Sequence, residues 1–351
     1  MKARARFAIG PGEVTGAVAD LGILIPLAAA LVLVNGLSGG TVLVGAGALV
    51  IASGAWSGLP FPVQPLKALT AVAVARQLDA DVIMAAGLII GAVLLVLSLG
   101  RTADHISRVF TPTVIRALQL GVGLLLIVAA SRLAFDPPAV FDATAPAATS
   151  PLRWSLPGLP GGQAFVTAAF LLVLPQLPLT FGNAVVAVTD VARRTFGDRA
   201  RAVTPRAVCR SAGIGNIVVS MIGGMPMCHG SSGLTAHYRL GARTAGMSLL
   251  LGGALIALGV TFGDQAPAVL GQLPPAVLAA LLAYAGVRHA WLVADLRGWR
   301  LAVAILAGTA GAATGNLLVT MVVAMIATSL PTVLRRRRAS VVDDDRVSAR
   351  G

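Results

Sequence analysis

Leu59-Pro60-Phe61-Pro62-Val63-Gln64-Pro65-Leu66-Lys67-Ala68-Leu69-Thr70-Ala71 and Gly224-Met225-Pro226-Met227-Cys228-His229-Gly230-Ser231-Ser232-Gly233-Leu234-Thr235-Ala236 interrupt two apolar runs, one in each half of the chain. Each passes from a proline-broken stretch into polar groups, and both then read Leu-Thr-Ala. Proline lacks a backbone donor and crowds the preceding turn, so both segments predict a break in a helix. Broken helices at matching places in two halves are the sequence mark of a transporter's binding site near the bilayer midplane. The polar groups that follow the breaks predict a small anion as cargo.

Composition supports a membrane setting. Of 351 residues, 56% are hydrophobic and 12% charged, too little charge to cover a soluble domain of this size. The 40 glycines suit close-packed membrane helices. A net charge of +13 raises the question of nucleic acid. The basic residues, however, lie in short connectors between apolar runs, as the positive-inside rule expects, and no aromatic-basic platform for bases accompanies them. The expected contact is membrane lipid, with no nucleic acid. Cys209 and Cys228 form no ligand set with histidine, so no metal and no cofactor is expected. The basic start leads into a span without a small-residue cleavage pattern, and no removable signal peptide is expected.

Apolar runs of about 20 residues cross a bilayer as helices. They fall near 14–34, 40–58, 82–99, 109–131, 164–190, 208–224, 246–262, 268–287, 300–313 and 315–334, with shorter crossings from the broken segments near 62–77 and 229–240. The expected fold is therefore an all-α integral membrane protein of about twelve transmembrane segments. With the amino terminus in the cytoplasm, nearly all the arginine falls inside: Arg101 to Arg108, Arg193 to Arg206, Arg239 to Arg243, Arg288 to Arg300 and Arg335 to Arg338. This holds only if both broken segments cross. A Pro-, Ala- and Ser-rich connector then divides the chain. Residues 1–131 form a first repeat of five spans, 132–162 an extracytoplasmic connector, 163–334 a second repeat of seven, and 335–351 a basic, disordered cytoplasmic tail. An odd number of crossings in the first half turns the second upside down, the geometry of inverted repeats. Arg335-Arg336-Arg337-Arg338 reads as a topology signal at the headgroups, and Asp343-Asp344-Asp345 is too isolated for a metal site.

A helix amino terminus carries unpaired N–H groups and roughly half a positive charge. Inverted broken helices point two such ends at one place, where an anion receives N–H groups from both sides. The first helix is expected to begin around Gln64 to Lys67 and the second around Gly230 to Gly233. Lys67, costing about 2.5–3.5 kcal/mol deep in a span, either faces the anion, snorkels, or pairs with Asp20. Gln64 offers amide donors or caps its helix. Ser231 and Ser232 donate hydroxyls or cap theirs, while Gly230 lets a ligand approach the backbone. His229 is a coupling group or a structural one. Asp20 carries a coupling proton or balances Lys67. Asn183 touches substrate or glues helices together.

Gly16-Ala17-Val18-Ala19-Asp20-Leu21-Gly22 with Pro26, Pro62-Val63-Gln64-Pro65-Leu66-Lys67, and Pro226-Met227-Cys228-His229-Gly230 with Tyr238-Arg239-Leu240-Gly241-Ala242-Arg243 resemble the molybdate-transporter branch of the sulfate-permease superfamily. The resemblance covers nearly the whole chain. It implies a core and a gate domain, with substrate between the broken helices near Gln64, Lys67 and Gly230 to Ser232. It also implies a homodimer in the cell (inner) membrane. Against the full sulfate permeases, the connector stands in place of two spans, and no soluble regulatory domain is expected after Arg338.

The expected function is secondary transport of a tetrahedral oxyanion, molybdate ahead of sulfate, with a proton or sodium as coupled ion. A nucleobase or carboxylate carrier of related fold is the alternative, and an anion channel the alternative of another class. A nucleobase site would more naturally present an acidic residue than Lys67 and hydroxyls. An enzyme is not expected. The chain has no Walker motif and no Gly-x-Ser-x-Gly elbow, and residues on a single turn rarely furnish nucleophile, base and oxyanion donors together.

Overall fold

The computed structural model describes residues 6–99, 111–137, 152, 157–265 and 274–329. The first half contains α1 (Pro11–Leu33), α2 (Gly39–Ser57), strand β1 (Gln64–Pro65), α3 (Lys67–Ala75), α4 (Ala80–Ser98) and α5 (Pro112–Phe135). The second contains α6 (Gly162–Ala200), α7 (Pro205–Met221), β2 (Met227–Cys228), α8 (Ser231–Arg239), α9 (Gly246–Phe262) and α10 (Pro275–Asp295). Two more helices follow, α11 (Gly298–Thr314) and α12 (Leu317–Ser329). Six of these, α1, α2, α4, α5, α6 and α10, are long and apolar enough to cross a bilayer.

Local sequence explains the boundaries. Thr204 caps α7 by accepting from Ala207 N–H at 3.1 Å, with Pro205 at the first helical position. Gly58 closes α2 at φ 68°, a left-handed turn that glycine adopts without strain. In α6, Pro175 and Pro178 lie between two π-helical segments, Ala168–Val173 and Thr180–Ala187. The wider turns give the proline rings room and absorb the missing donors. α6 also outruns its apolar stretch. Val188–Phe196 continues the helix as a polar, arginine-bearing end in which Arg194 pairs with Asp190 at 2.8 Å. The connectors at 101–108 and most of 132–162, the expected span start at 268, and the tail after 334 lie outside the described residues.

The packing has an inverted two-fold pattern in which each of α1 to α5 corresponds to the helix five places later, α6 to α10. Under that exchange α2·α9 becomes α7·α4, and both pairs are packed. The contacts α1·α8 and α1·α9 become α6·α3 and α6·α4, again all present. β1·β2 and α5·α10 map onto themselves. Glycines make the crossings possible. A Cβ on Gly47 would lie 2.5 Å from Gly252 O, and one on Gly252 2.5 Å from Gly47 O. Gly91 and Gly213 meet in the same reciprocal way where α4 crosses α7, and Gly123 and Gly286 where α5 crosses α10. Small residues let membrane helices approach to backbone contact. α11 and α12 pack on α5 through Gly121 and have no counterpart among the described residues of the first half.

The start of α1 is fastened to the turn after α8. Buried Glu13 accepts from the N–H groups of Arg243 and Thr244 at 3.0 Å each and of Met247 at 3.2 Å. Gly12 and Gly16 leave no space for a side chain against Gly241 and Ala242. The Tyr238-to-Arg243 motif is thus a socket for the amino end of α1.

Gly252 and the adjacent Gly253 make a clean test of the crossings, since a Cβ on Gly253 would meet nothing within 4 Å. Gly252→Ala is expected to destabilise the protein by about 1–3 kcal/mol, and Gly253→Ala to be neutral or slightly stabilising. Thermal unfolding of the two variants in detergent measures the difference.

Candidate functional site

The two breaks meet. β1 and β2 pair antiparallel, with Gln64 opposite Cys228 and Pro65 opposite Met227. Leu66 N–H adds a bond to Pro226 O at 3.1 Å. α3 starts at Lys67 and α8 at Ser231, separated from their strands by Leu66 and by His229 and Gly230. Irregular backbone inside a membrane protein needs partners from neighbouring elements, and several side chains supply them. Asn216 of α7 accepts from Met227 N–H at 2.7 Å and donates to Met227 O at 2.8 Å. His229 joins the two breaks: Nδ1 lies 3.0 Å from Pro62 O, and Nε2 lies 3.2 Å from Ser211 Oγ. A carbonyl only accepts, so Nδ1 carries the hydrogen and Nε2 accepts from the hydroxyl. Ser211 Oγ in turn accepts from Trp56 Nε1 at 2.9 Å, and Phe61 meets the His229 ring edge to face at 4.8 Å. Both ring nitrogens are engaged in bracing.

The start of α3 has a cap from another helix. Gln176 of α6 accepts from the N–H groups of Ala68 and Leu69 at 3.0 and 3.1 Å, and donates to Thr180 Oγ1 at 3.1 Å. Two of the N–H groups expected to face an anion therefore face this carboxamide.

Three candidates converge on one line of contacts. Lys67 Nζ donates to Gln64 Oε1 at 2.6 Å, and Gln64 Nε2 donates to Asp20 Oδ1 at 2.5 Å. Lys67 and Asp20 are thus linked through Gln64 rather than paired. Gln64 is fully buried and belongs to β1, so it caps no helix. Its carboxamide occupies the space over Gly230 and Gly233: a Cβ on Gly230 would lie 2.7 Å from Gln64 Oε1, and one on Gly233 2.5 Å from Gln64 Nε2. Ser231 is half-buried and Ser232 exposed in the first turn of α8. Asn183 lies in the π segment of α6 that packs against α7 and α8; its side chain lies outside the described residues.

Sequence reasoning missed three participants. His237 is completely buried, with Nε2 2.9 Å from Asp20 Oδ2 and Nδ1 2.7 Å from Gly16 O. Asn216 and Gln176 serve the breaks from helices distant in sequence. The signal for Gln176 was its place between two prolines in an apolar span, where a polar residue needs a partner.

The family model described as "Molybdate transporter of MFS superfamily" matches residues 12–126 and 168–288. "Molybdate transporter 1" of Arabidopsis thaliana is 28% identical, over 81% of this chain and 80% of its own length. The fold resembles the transmembrane domain of the cyanobacterial bicarbonate transporter BicA, with TM-score 0.57, 17% identity and coverage of 90% of this chain and 96% of that one. It also resembles the murine Slc26a9 anion transporter in the inward-facing state, with TM-score 0.62, 12% identity and coverage of 95% and 70%.

Gln176→Ala removes the acceptor of two buried N–H groups. It is expected to cost about 1–3 kcal/mol, whereas Gln176→Glu, which keeps an acceptor, is expected to cost less. Thermal unfolding of both variants in detergent checks the order.

Proposed function

Because the chain belongs to the molybdate-transporter family, and so is an integral membrane anion transporter and not an enzyme, we propose that it is a secondary carrier of molybdate. In this reading it lies in the cell membrane with both ends cytoplasmic, a placement the arginine-rich connectors support. The dianion sits against Lys67 Nζ, between the first turns of α3 and α8.

The observation that carries this reading is the state of Lys67. Its side chain is 6% exposed, and its only hydrogen-bond acceptor among the described residues is a neutral carboxamide oxygen. No carboxylate pairs with it among those residues. Removing an ammonium from water costs several kcal/mol, and one charge-assisted hydrogen bond returns about 1.5–3 kcal/mol. The shortfall, with the donors Nζ still has to offer, favours an anion as the missing partner. Gln176 already covers part of the α3 start, whereas Gly230 brings no side chain to the start of α8. The anion is therefore better served by Lys67 together with the α8 turn from Gly230 to Ser232 than by two equivalent helix ends.

Transport alternates access by moving α5 and α10 to α12 against the remaining helices. In support, α5 is tightly crossed with α10 and packed with α11, and this group meets the site through α3 and α1. Flux should then saturate and depend on a co-ion, which separates a carrier from a channel for the same anion.

Calorimetric titration of the purified protein with molybdate, with sulfate as competitor, tests the substrate. Tight molybdate binding that resists excess sulfate is the expected result; sulfate winning would make the chain a sulfate carrier, and no binding would end the oxyanion reading. Lys67→Ala is expected to lower affinity by more than about 100-fold with the protein still monodisperse. Ser231→Ala is expected to cost less than about 10-fold, since backbone donors remain.

A further inference from the structure

His237 and Asp20 carry a hydrogen-bond constraint that the oxyanion reading leaves unused. His237 is fully buried, and the Asp20 side chain is 2% exposed. Nδ1 of His237 faces Gly16 O at 2.7 Å, and a carbonyl only accepts, so Nδ1 carries a hydrogen. Nε2 then faces Asp20 Oδ2 at 2.9 Å. A neutral ring with its hydrogen on Nδ1 presents a lone pair here, as does a carboxylate. The contact stands only with one more proton, either on the ring as imidazolium or on Asp20 as carboxylic acid. Losing that proton sets two lone pairs against each other in a buried site. α1 and α8 must then part, or the ring must turn.

The same carboxylate leads to the candidate anion site. Asp20 Oδ1 accepts from Gln64 Nε2, and Gln64 Oε1 accepts from Lys67 Nζ. With the proton in place the pair is neutral, and Lys67 leaves the site one positive charge. Without it, the Asp20 carboxylate cancels that charge. A dianion therefore binds better to the protonated site, and by reciprocity the proton binds better to the anion-loaded one. Other titratable groups surround the pair. Lys67 of α3 stands behind Gln64, and Cys228 of β2 lies within electrostatic reach of Asp20 and Lys67. Half-buried His289 of α10 lies within reach of Lys67. Glu13 of α1 is held by the N–H groups before and at the start of α9, and Tyr238 lies under the Arg243 guanidinium at 3.8 Å. Of these, only the Asp20–His237 pair has a contact that one proton makes or breaks.

We propose that the His237–Asp20 pair is the proton-carrying site of this transporter, taking one proton from the side that supplies the oxyanion and releasing it on the side that receives it. The proposal rests on the oxyanion reading above. It involves proton transfer alone: the proton comes from water on one face and returns to water on the other, and no covalent bond of the cargo changes.

The test uses the full-length protein in liposomes, with the membrane potential clamped at zero by potassium and valinomycin. Two fluxes of labelled molybdate are compared. Counterflow at equal pH reports anion exchange, and accumulation under an acid-outside gradient reports coupling. The wild type is expected to show both. Asp20→Asn places an amide where the protonated carboxyl would be, able to donate to His237 and accept from Gln64. It is expected to keep measurable counterflow while pH-driven accumulation falls at least about tenfold. His237→Gln, a second variant should the first fail to fold, is expected to lose pH-driven accumulation likewise, with weaker counterflow as well, because the Asp20 carboxylate it leaves offsets the Lys67 charge. Wild-type accumulation that follows a sodium gradient and ignores pH would overturn the proposal, as would full pH-driven accumulation by either folded variant. Absence of wild-type counterflow would instead strike the oxyanion reading itself and this proposal with it.

Discussion

Every feature of the site depends on one constraint: a helix broken inside a membrane must find partners for the backbone groups that the break sets free. The two breaks here satisfy each other through the short antiparallel ladder of β1 and β2. What the ladder leaves is taken up by Asn216 at Met227, His229 at Pro62 and Gln176 at Ala68 and Leu69. Satisfied in this way, the breaks can stay deep in the protein and present the first turns of α3 and α8. The polar residues near the breaks therefore divide into two kinds. Some complete the backbone, and a smaller set, centred on Lys67, retains capacity for something else.

The halves fold alike and act differently. Reciprocal glycine contacts at the three crossings impose the inverted two-fold arrangement on the scaffold. At the breaks the likeness stops. The first half brings Lys67 and Gln64, and the second brings glycines and serines. An anion held at such a place meets a charge from one side and backbone from the other. This asymmetry also gives the site one hydrogen-bonded chain, from Lys67 through Gln64 to Asp20 and His237.

The sequence was most legible where local chemistry decides. Prolines and polar clusters located both breaks, apolar runs located the long helices, and the motif after each break located the starts of α3 and α8 to within a few residues. It was least legible where the partner lies far along the chain. Gln176 reaches the start of α3 from over a hundred residues away, and no local pattern says which backbone it will cap. His237 follows the second Leu-Thr-Ala directly but needed the fold to meet Asp20. The helical run of α6 outlasted its apolar stretch because hydropathy marks where lipid-like residues end, not where hydrogen bonding ends. Gln64 reads in the sequence only as a polar residue beside a break; that its amide donates to Asp20 and its oxygen serves Lys67 follows from tertiary position.

The Gln64 carboxamide in the hollow over Gly230 and Gly233 has a consequence for descent. If the halves arose by duplication, they began with the same residues at both breaks. The carboxamide as it lies fills space that a Cβ at position 230 or 233 would need, so the reach of Gln64 in one half is matched to the missing side chains in the other. Matched changes of this kind, a long side chain in one half and none in the other, turn a two-fold scaffold into a one-sided site.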